Sequence, residues 1–309
     1  MATARQCAVL FGLFATHAAF ADVTVRSKID YKLGSYVPAA AAQAMRKQTA
    51  ETVANGLVYR IKGKRSLASW GAMLLITDQE KGVITLLDPK EKRYASCALA
   101  DYGDKLKAAM PALPAEAQQM LENFKIDANS AKTGNTEMIR GIKAEEMLIN
   151  VAVDPAGAMA GMMSMKVEMH IWTATSEEME RIPAVKELAA YMAGQSDGAA
   201  PASTTARMFS QMPEFAGRLK LPIEEMMKVS SKAVLRTSVK MMMPASARMM
   251  GAANPDEPFN EMTTDLIELS ADPIPDSVFD VPADYKIAPL EDLIQLLNLP
   301  AAGPTVVVP

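Results

Sequence analysis

Reactive side chains are scarce in this sequence: 309 residues carry two cysteines and two histidines. That leaves little with which to assemble a nucleophile and its base. No H-E-x-x-H, C-x-x-C, G-x-S-x-G or phosphate-cradling glycine loop occurs, and the glycines at 157–161 lack a strand-loop-helix setting. Basic residues are not in excess either: 32 Lys and Arg face 36 Asp and Glu, a net charge of −4. No basic stripe of the kind nucleic-acid binders carry is visible. Beyond the first 21 residues no apolar run approaches membrane-spanning length without a charge. What is abundant is methionine, 24 residues in a chain that is 50% hydrophobic and 22% charged, an ordinary globular composition.

Residues 1–21 read as a secretory signal peptide. Arg5 supplies a short positive region, Gln6 to Phe20 is mostly apolar, and Ala19-Phe20-Ala21 is an A-x-A cleavage pattern before Asp22. Cys7 precedes most of the apolar run, so it is a poor candidate for a lipidated cysteine. Removing 21 of the 309 residues leaves 288, with Cys97 as the sole cysteine and His170 as the sole histidine. The mature chain is thus expected to be periplasmic or secreted, without an intrachain disulfide.

Along the chain, period-two alternation recurs. In Asp22 to Leu33, Val23, Val25, Ile29, Tyr31 and Leu33 share a face opposite Arg26, Lys28, Asp30 and Lys32. A helix is predicted over 39–54, a strand over 57–64 and three further strands near 70–77, 82–88 and 92–97, joined by turns at Gln79–Gly82 and Asp88–Glu91. A proline-interrupted helical stretch covers 101–124, and strands resume at 126–132, 136–141 and 145–153. Met165 to Thr175 alternates strongly, with Met165, Val167, Met169 and Ile171 opposite Lys166, Glu168, His170 and Trp172. Thr175-x-x-Glu178 resembles a capping box opening a helix to about 194. A linker over 195–205 and a short helix over 206–216 follow, and Pro222 to Val229 fits either helix or strand. A strand over 234–243 carries Leu235, Val239, Met241 and Met243 on one side; then come a loop over 244–258, a strand over 259–270 and a short helix ending at 299. Sequence-adjacent strands with helices between groups of them point to an antiparallel α+β fold in one domain.

Side chains with chemical potential each have a plainer reading. A triad would have to centre on His170, which sits among polar residues of a strand and reads as a partly exposed surface histidine. Glu145-Glu146 and Glu177-Glu178 read as solvated faces. Cys97 is either a buried inert thiol or the pairing residue of a disulfide-linked dimer. The methionines at 159–169, 241–243 and 249–250 could supply thioethers to copper(I), but Met165 and Met169 have core spacing. Methionine is also a flexible, polarizable filler of promiscuous apolar surfaces.

Three blocks carry a family resemblance. Leu57 to Ser96 contains Arg60-Ile61-Lys62-Gly63-Lys64-Arg65 and, after a hairpin, Ile84-Thr85-Leu86-Leu87-Asp88-Pro89-Lys90-Glu91-Lys92-Arg93-Tyr94. Thr133 to Glu146 contains Ile139-Arg140-Gly141-Ile142-Lys143-Ala144-Glu145, and Pro275 to Lys286 ends in an F-x-V-P-x-x-Y-K pattern from Phe279 to Lys286. In this order the blocks resemble an uncharacterised family of exported bacterial proteins similar to the periplasmic lipoprotein-carrier (Lol-type) fold. The resemblance spans most of 22–288, with 101–124 and 177–216 as helical insertions. It implies a curved, mostly antiparallel sheet forming an incomplete β-barrel closed by helices, with 289–309 as a C-terminal helix and loose tail. It implies a non-enzymatic protein without cofactor or metal that holds a lipid or lipoprotein acyl chain in the concave face of the sheet. No catalytic residues are carried over. The expected ligand-contacting residues are Val25, Ile29, Tyr31, Met147, Ile149, Val151, Met165, Val167, Met169, Ile171, Met241 and Met243. The alternative is a structural or protein-interaction module of the cell envelope with a solid core. N-terminal sequencing of the protein recovered from an exporting host should begin at Asp22; a mature chain that retains Arg5 and Cys7 would refute the cleavage site.

Overall fold

The computed structural model describes residues 22–109, 124–155, 164–196 and 232–297. The first half comprises β1 (Val23–Leu33), α1 (Ala39–Asn55) and a meander of β2 (Leu57–Lys62), β3 (Arg65–Trp70), β4 (Met73–Asp78), β5 (Val83–Asp88) and β6 (Arg93–Ala98), followed by α2 (Tyr102–Ala109). Then come β7 (Phe124–Ile139), β8 (Ile142–Pro155), β9 (Met165–Ala174), α3 (Ser176–Arg181) and α4 (Pro183–Ser196). The chain returns through β10 (Val234–Met242), α5 (Pro244–Met249), β11 (Asn260–Ser270), β12 (Lys286–Ile287) and α6 (Leu290–Leu296).

All twelve strands join one sheet in the order β12-β6-β5-β4-β3-β2-β1-β11-β10-β9-β8-β7. Every pairing is antiparallel except β12 with β6. The fold is α+β, and the sheet is curved but not closed into a barrel, leaving β7 and β12 at its edges. No helix among the described residues is long and apolar enough to cross a membrane.

Local chemistry explains where the sequence reading and the structure part. Four strands, not three, follow β2, because Lys62 pairs with Arg65 across a two-residue Gly63-Lys64 turn. Gly63 has φ 57°, a conformation L side chains seldom adopt, and Gly71 repeats the device between Trp70 and Met73. Likewise β7 is one strand and not two, since the segment from Lys132 to Thr136 is a bulge within a continuous pairing to β8. The helix after Thr175 is two helices, broken at Ile182-Pro183. Thr175 does cap it, accepting from the Glu178 amide at 3.4 Å. The Glu178 side chain does not complete the box; it turns to Arg181, and the Thr175 amide is taken by the Lys143 carbonyl. The stretch 244–258 is not all loop: Pro244 opens a short helix, its missing N–H costing nothing in a first turn. Helix α4 runs on through Gln195 and Ser196, where the linker is predicted to begin; the rest of the linker, the 206–216 helix, the ambiguous 222–229 stretch and the tail beyond Leu297 lie outside the described residues, as does the predicted helix beyond Ala109.

The meander is covered on both sides. On one face Met73, Ile84, Leu86 and Ala95 pack against Tyr102 and Leu106 of α2 and Leu290, Leu293 and Ile294 of α6. On the other, Leu67, Ile76 and Leu87 meet Ile274 and Phe279 of the segment following β11. That segment is fastened by Lys62, which donates to the Ile274 carbonyl at 2.7 Å and pairs with Asp276 at 3.2 Å. The Asp22 carboxylate accepts from the Ile274 amide. Arg65 binds Asp276 and lies 5.0 Å over the Phe279 ring. Because Leu293 is fully buried at 0% exposure, Leu293→Ala should cost about 2–5 kcal/mol in urea unfolding. A loss below about 1 kcal/mol would show that α6 is not part of the cooperative core.

Candidate functional site

Strand register builds the candidate site. Across β1, β11, β10, β9, β8 and β7 the pairings place side chains in rows on one face. One row runs Ile29, Thr264, Thr237, Ile171, Met147, Lys132. The next runs Tyr31, Met262, Val239, Met169, Ile149, Ser130, and a third Leu33, Asn260, Met241, Val167, Val151, Ala128. A shorter fourth row holds Met165, Val153 and Ile126. Ten of the twelve sequence-predicted residues lie in these rows.

Two do not. Val25 lies further along β1, packed in the cluster that α4 covers through Val185 and Leu188. Met243 lies beyond the end of β10, in a cluster with Tyr36, Val37, Ala42 of α1, Ala247 of α5 and Phe259. Helical elements therefore border the rows at both ends. Burial changes along the rows: Ile149 and Met169 are buried at 0% and 2% exposure, whereas Val239, Met241, Met262 and Tyr31 are half-buried. The companions of the buried β8–β9 cluster among the described residues are all strand residues: Ile126, Ala128, Met147, Met165, Val234 and Val239. Tyr31 is the aromatic member of the face. Burial pushes its phenol up from its ordinary value, and a hydrogen bond from Asn260 opposes that shift.

The opposite face of the same strands is charged. Arg236 donates to Asp265 at 2.9 Å and makes a two-pronged pair with Glu137 at 2.8 and 2.9 Å. Glu146 is not solvated, as its sequence context implies, but buried at 7% exposure. It accepts from Thr133 Oγ1, Asn135 Nδ2 and His170 Nδ1, each at 2.7 Å. Burial pushes its carboxyl up, but the bonds from His170, Asn135 and Thr133 together hold it below its ordinary value. His170 is likewise more than a surface histidine: its Nδ1 is engaged and its Nε2 is buried, with the Glu168 carboxylate at 3.9 Å. This carboxylate cluster pins the β7 bulge through β8 to β9. Glu178, too, is buried against Arg181. Cys97 is a free, half-buried thiol whose pKa burial pushes up.

Sequence reasoning missed Met262 and Asn260, although the alternation of Asn260, Met262, Thr264 and Leu266 carries the same phase as β10. It also missed Glu146, Thr133 and Asn135, whose grouping depends on a bulge. Among the described residues no three His, Cys, Asp or Glu side chains converge as a metal site. Met147, Met165 and Met169 pack in one apolar cluster and Met241 and Met243 in another. Met159, Met162 and Met163 lie outside the described residues. No protein-family model matches this chain, and no curated protein matches it.

The lowered pKa of Glu146 carries a sign. Its contribution to stability is complete above the ordinary value of 4.5 and is lost as pH falls through the lower folded-state value. Glu146→Gln should therefore destabilise the fold by about 1–3 kcal/mol at neutral pH and flatten the acid limb of the stability profile. Denaturant unfolding from neutral pH down to about pH 3 measures both; a variant whose profile parallels the parent at every pH would refute the assignment.

Proposed function

We propose that the chain is an exported, non-enzymatic binding protein that holds a hydrophobic ligand, a lipid or lipoprotein acyl chain, against the apolar rows of β1 and β8–β11. The observation that carries this reading is the in-register apolar floor, half-buried at Val239, Met241 and Met262 and bordered by helices at both ends. Ligand pockets are largely apolar with a few polar groups that fix orientation, and Thr237, Thr264 and Asn260 are such groups here. Methionine at five of the floor positions suits chains of varied length, because the thioether is unbranched and polarizable. The signal-peptide reading and the order of the lipoprotein-carrier-like blocks agree with export and with this ligand class.

A solid-core envelope module is the second reading, favoured by the near-complete burial of Ile149, Val151 and Met169. Binding of the neutral fluorophore N-phenylnaphthylamine, with native mass spectrometry for co-purifying lipid, separates the two. Val239→Glu places a charge on the half-buried part of the floor and should weaken fluorophore binding by about tenfold or more, while the circular dichroism spectrum stays folded. A parent protein that neither binds the fluorophore nor carries lipid supports the solid core and overturns the carrier reading.

A further inference from the structure

The charges on the floor's side of the sheet gather at one corner. Most charged residues of β1 and β7–β11, such as Asp30, Glu146, Glu168 and Glu261, belong to the opposite phase of the alternation. Lys132, Lys143 and Glu145, at the β7–β8 end, are the exceptions. Lys132 pairs directly with Met147, and Glu145 and Lys143 precede Met147 by two and four residues within β8, so all three share the floor's side. Lys232, just ahead of β10, joins them by donating to Glu145 at 3.0 Å. Three ammonium groups thus meet one carboxylate. Lys132 stands 3.7 Å from Glu145, beyond hydrogen-bond range, and keeps its N–H donors for another acceptor. Lys143 is exposed and makes no ion pair among the described residues. The other acid of the β7–β8 hairpin tip, Glu137, is committed to Arg236 on the opposite face. From Lys132 the row runs through Met147, Ile171, Thr237 and Thr264 to Ile29 without a further charge, five strand spacings or about 24 Å.

An apolar strip with an excess of positive charge at one end has the polarity of an anionic amphiphile. Hydrocarbon gains by lying on the rows, while an anion would be desolvated without a counter-charge anywhere on them except at this corner. A cationic head would meet like charge there, and a neutral head would gain little. We infer that this corner is the head-group subsite of the floor: Lys132 and Lys143 bind the carboxylate or phosphate of an anionic amphiphile whose acyl chain lies along the rows. This rests on the carrier reading above and adds to it the charge and the position of the ligand's polar end.

Displacement of N-phenylnaphthylamine by laurate, dodecyl phosphate, methyl laurate and dodecyltrimethylammonium tests it on the full mature chain. The parent should bind at least one of the two anions several-fold more tightly than methyl laurate, and the cation most weakly; the tighter anion tells carboxylate from phosphate. The preference should shrink as salt rises. Replacing both lysines, Lys132→Gln with Lys143→Gln, should weaken the anions about three- to tenfold, the worth of two exposed charges, and leave methyl laurate unchanged. Glu145→Gln should tighten the anions, a change of sign that general damage to the fold does not produce. Thermal unfolding of the variants checks that they fold. Methyl laurate or the cation binding as tightly as both anions, or a lysine-variant loss shared by methyl laurate, overturns the head-group subsite and leaves the carrier reading standing. Failure of the parent to bind the fluorophore and every probe overturns both.

Discussion

The register of β8, β9 and β10 is the constraint on which the rest of this molecule depends. Strand side chains alternate faces with a period of two, so slipping one strand by a single residue would move its whole apolar set to the charged side. Here Met147, Ile149, Val151 and Val153 meet Ile171, Met169, Val167 and Met165 in strict succession. Their alternates Glu146, Leu148, Asn150 and Ala152 meet Trp172, His170, Glu168 and Lys166. The two faces thus specify one another. The carboxylate of Glu146 adds a polar lock, because its three donors come from the β7 bulge and from β9. A slipped register would strand that carboxylate without them, at the desolvation cost of a buried charge. Packing and hydrogen bonding therefore reject the same misfolded alternatives.

The two halves of the sheet meet different demands. In the meander, β5 is buried from Ile84 to Asp88, because helices cover one side and the segment after β11 covers the other. A strand covered on both faces needs apolar or paired residues at every position. Thr85 meets this by pairing with Ser96 at 2.7 Å, and Asp88 by binding Arg93 and the Lys90 and Glu91 amides. The other half keeps clean alternation, because its second face is polar. Lys28, Asp265, Arg236 and Glu137 form a charged chain across four strands there. Ion pairs of this kind contribute little individually; together they fix which side of the alternation stays polar.

Much of this was legible in the sequence. The phase of β1, β8, β9 and β10 follows from alternation alone, and ten of the twelve expected floor residues fall in the rows for that reason. Alternation fixes which side of a strand a residue occupies but not which strand lies beside it, so Val25 and Met243 have the right phase and other neighbours. Local turn chemistry accounts for β3, since a glycine-led two-residue turn is a weak mark inside a lysine- and arginine-rich stretch. The burial of Glu146 was not legible. Its solvated appearance comes from Glu145 beside it, and only the Lys132–Thr136 bulge brings Thr133 and Asn135 to its carboxylate. His170 inherits its role from that arrangement, 24 residues away in sequence.

The scarcity of reactive groups acquires a structural meaning from these placements. The one histidine outside the predicted signal peptide lies on the charged face with its Nδ1 committed to a buried carboxylate, away from the apolar rows. Cys97 packs beside the α2–α6 cluster, on the meander half. Neither belongs to the apolar rows, whose polar members are Tyr31, Thr237, Thr264, Ser130, Asn260 and, on the edge strand β7, Lys132. The rows thus combine a few hydrogen-bonding side chains with unbranched, polarizable methionines, a lining whose packing adapts readily to its neighbours.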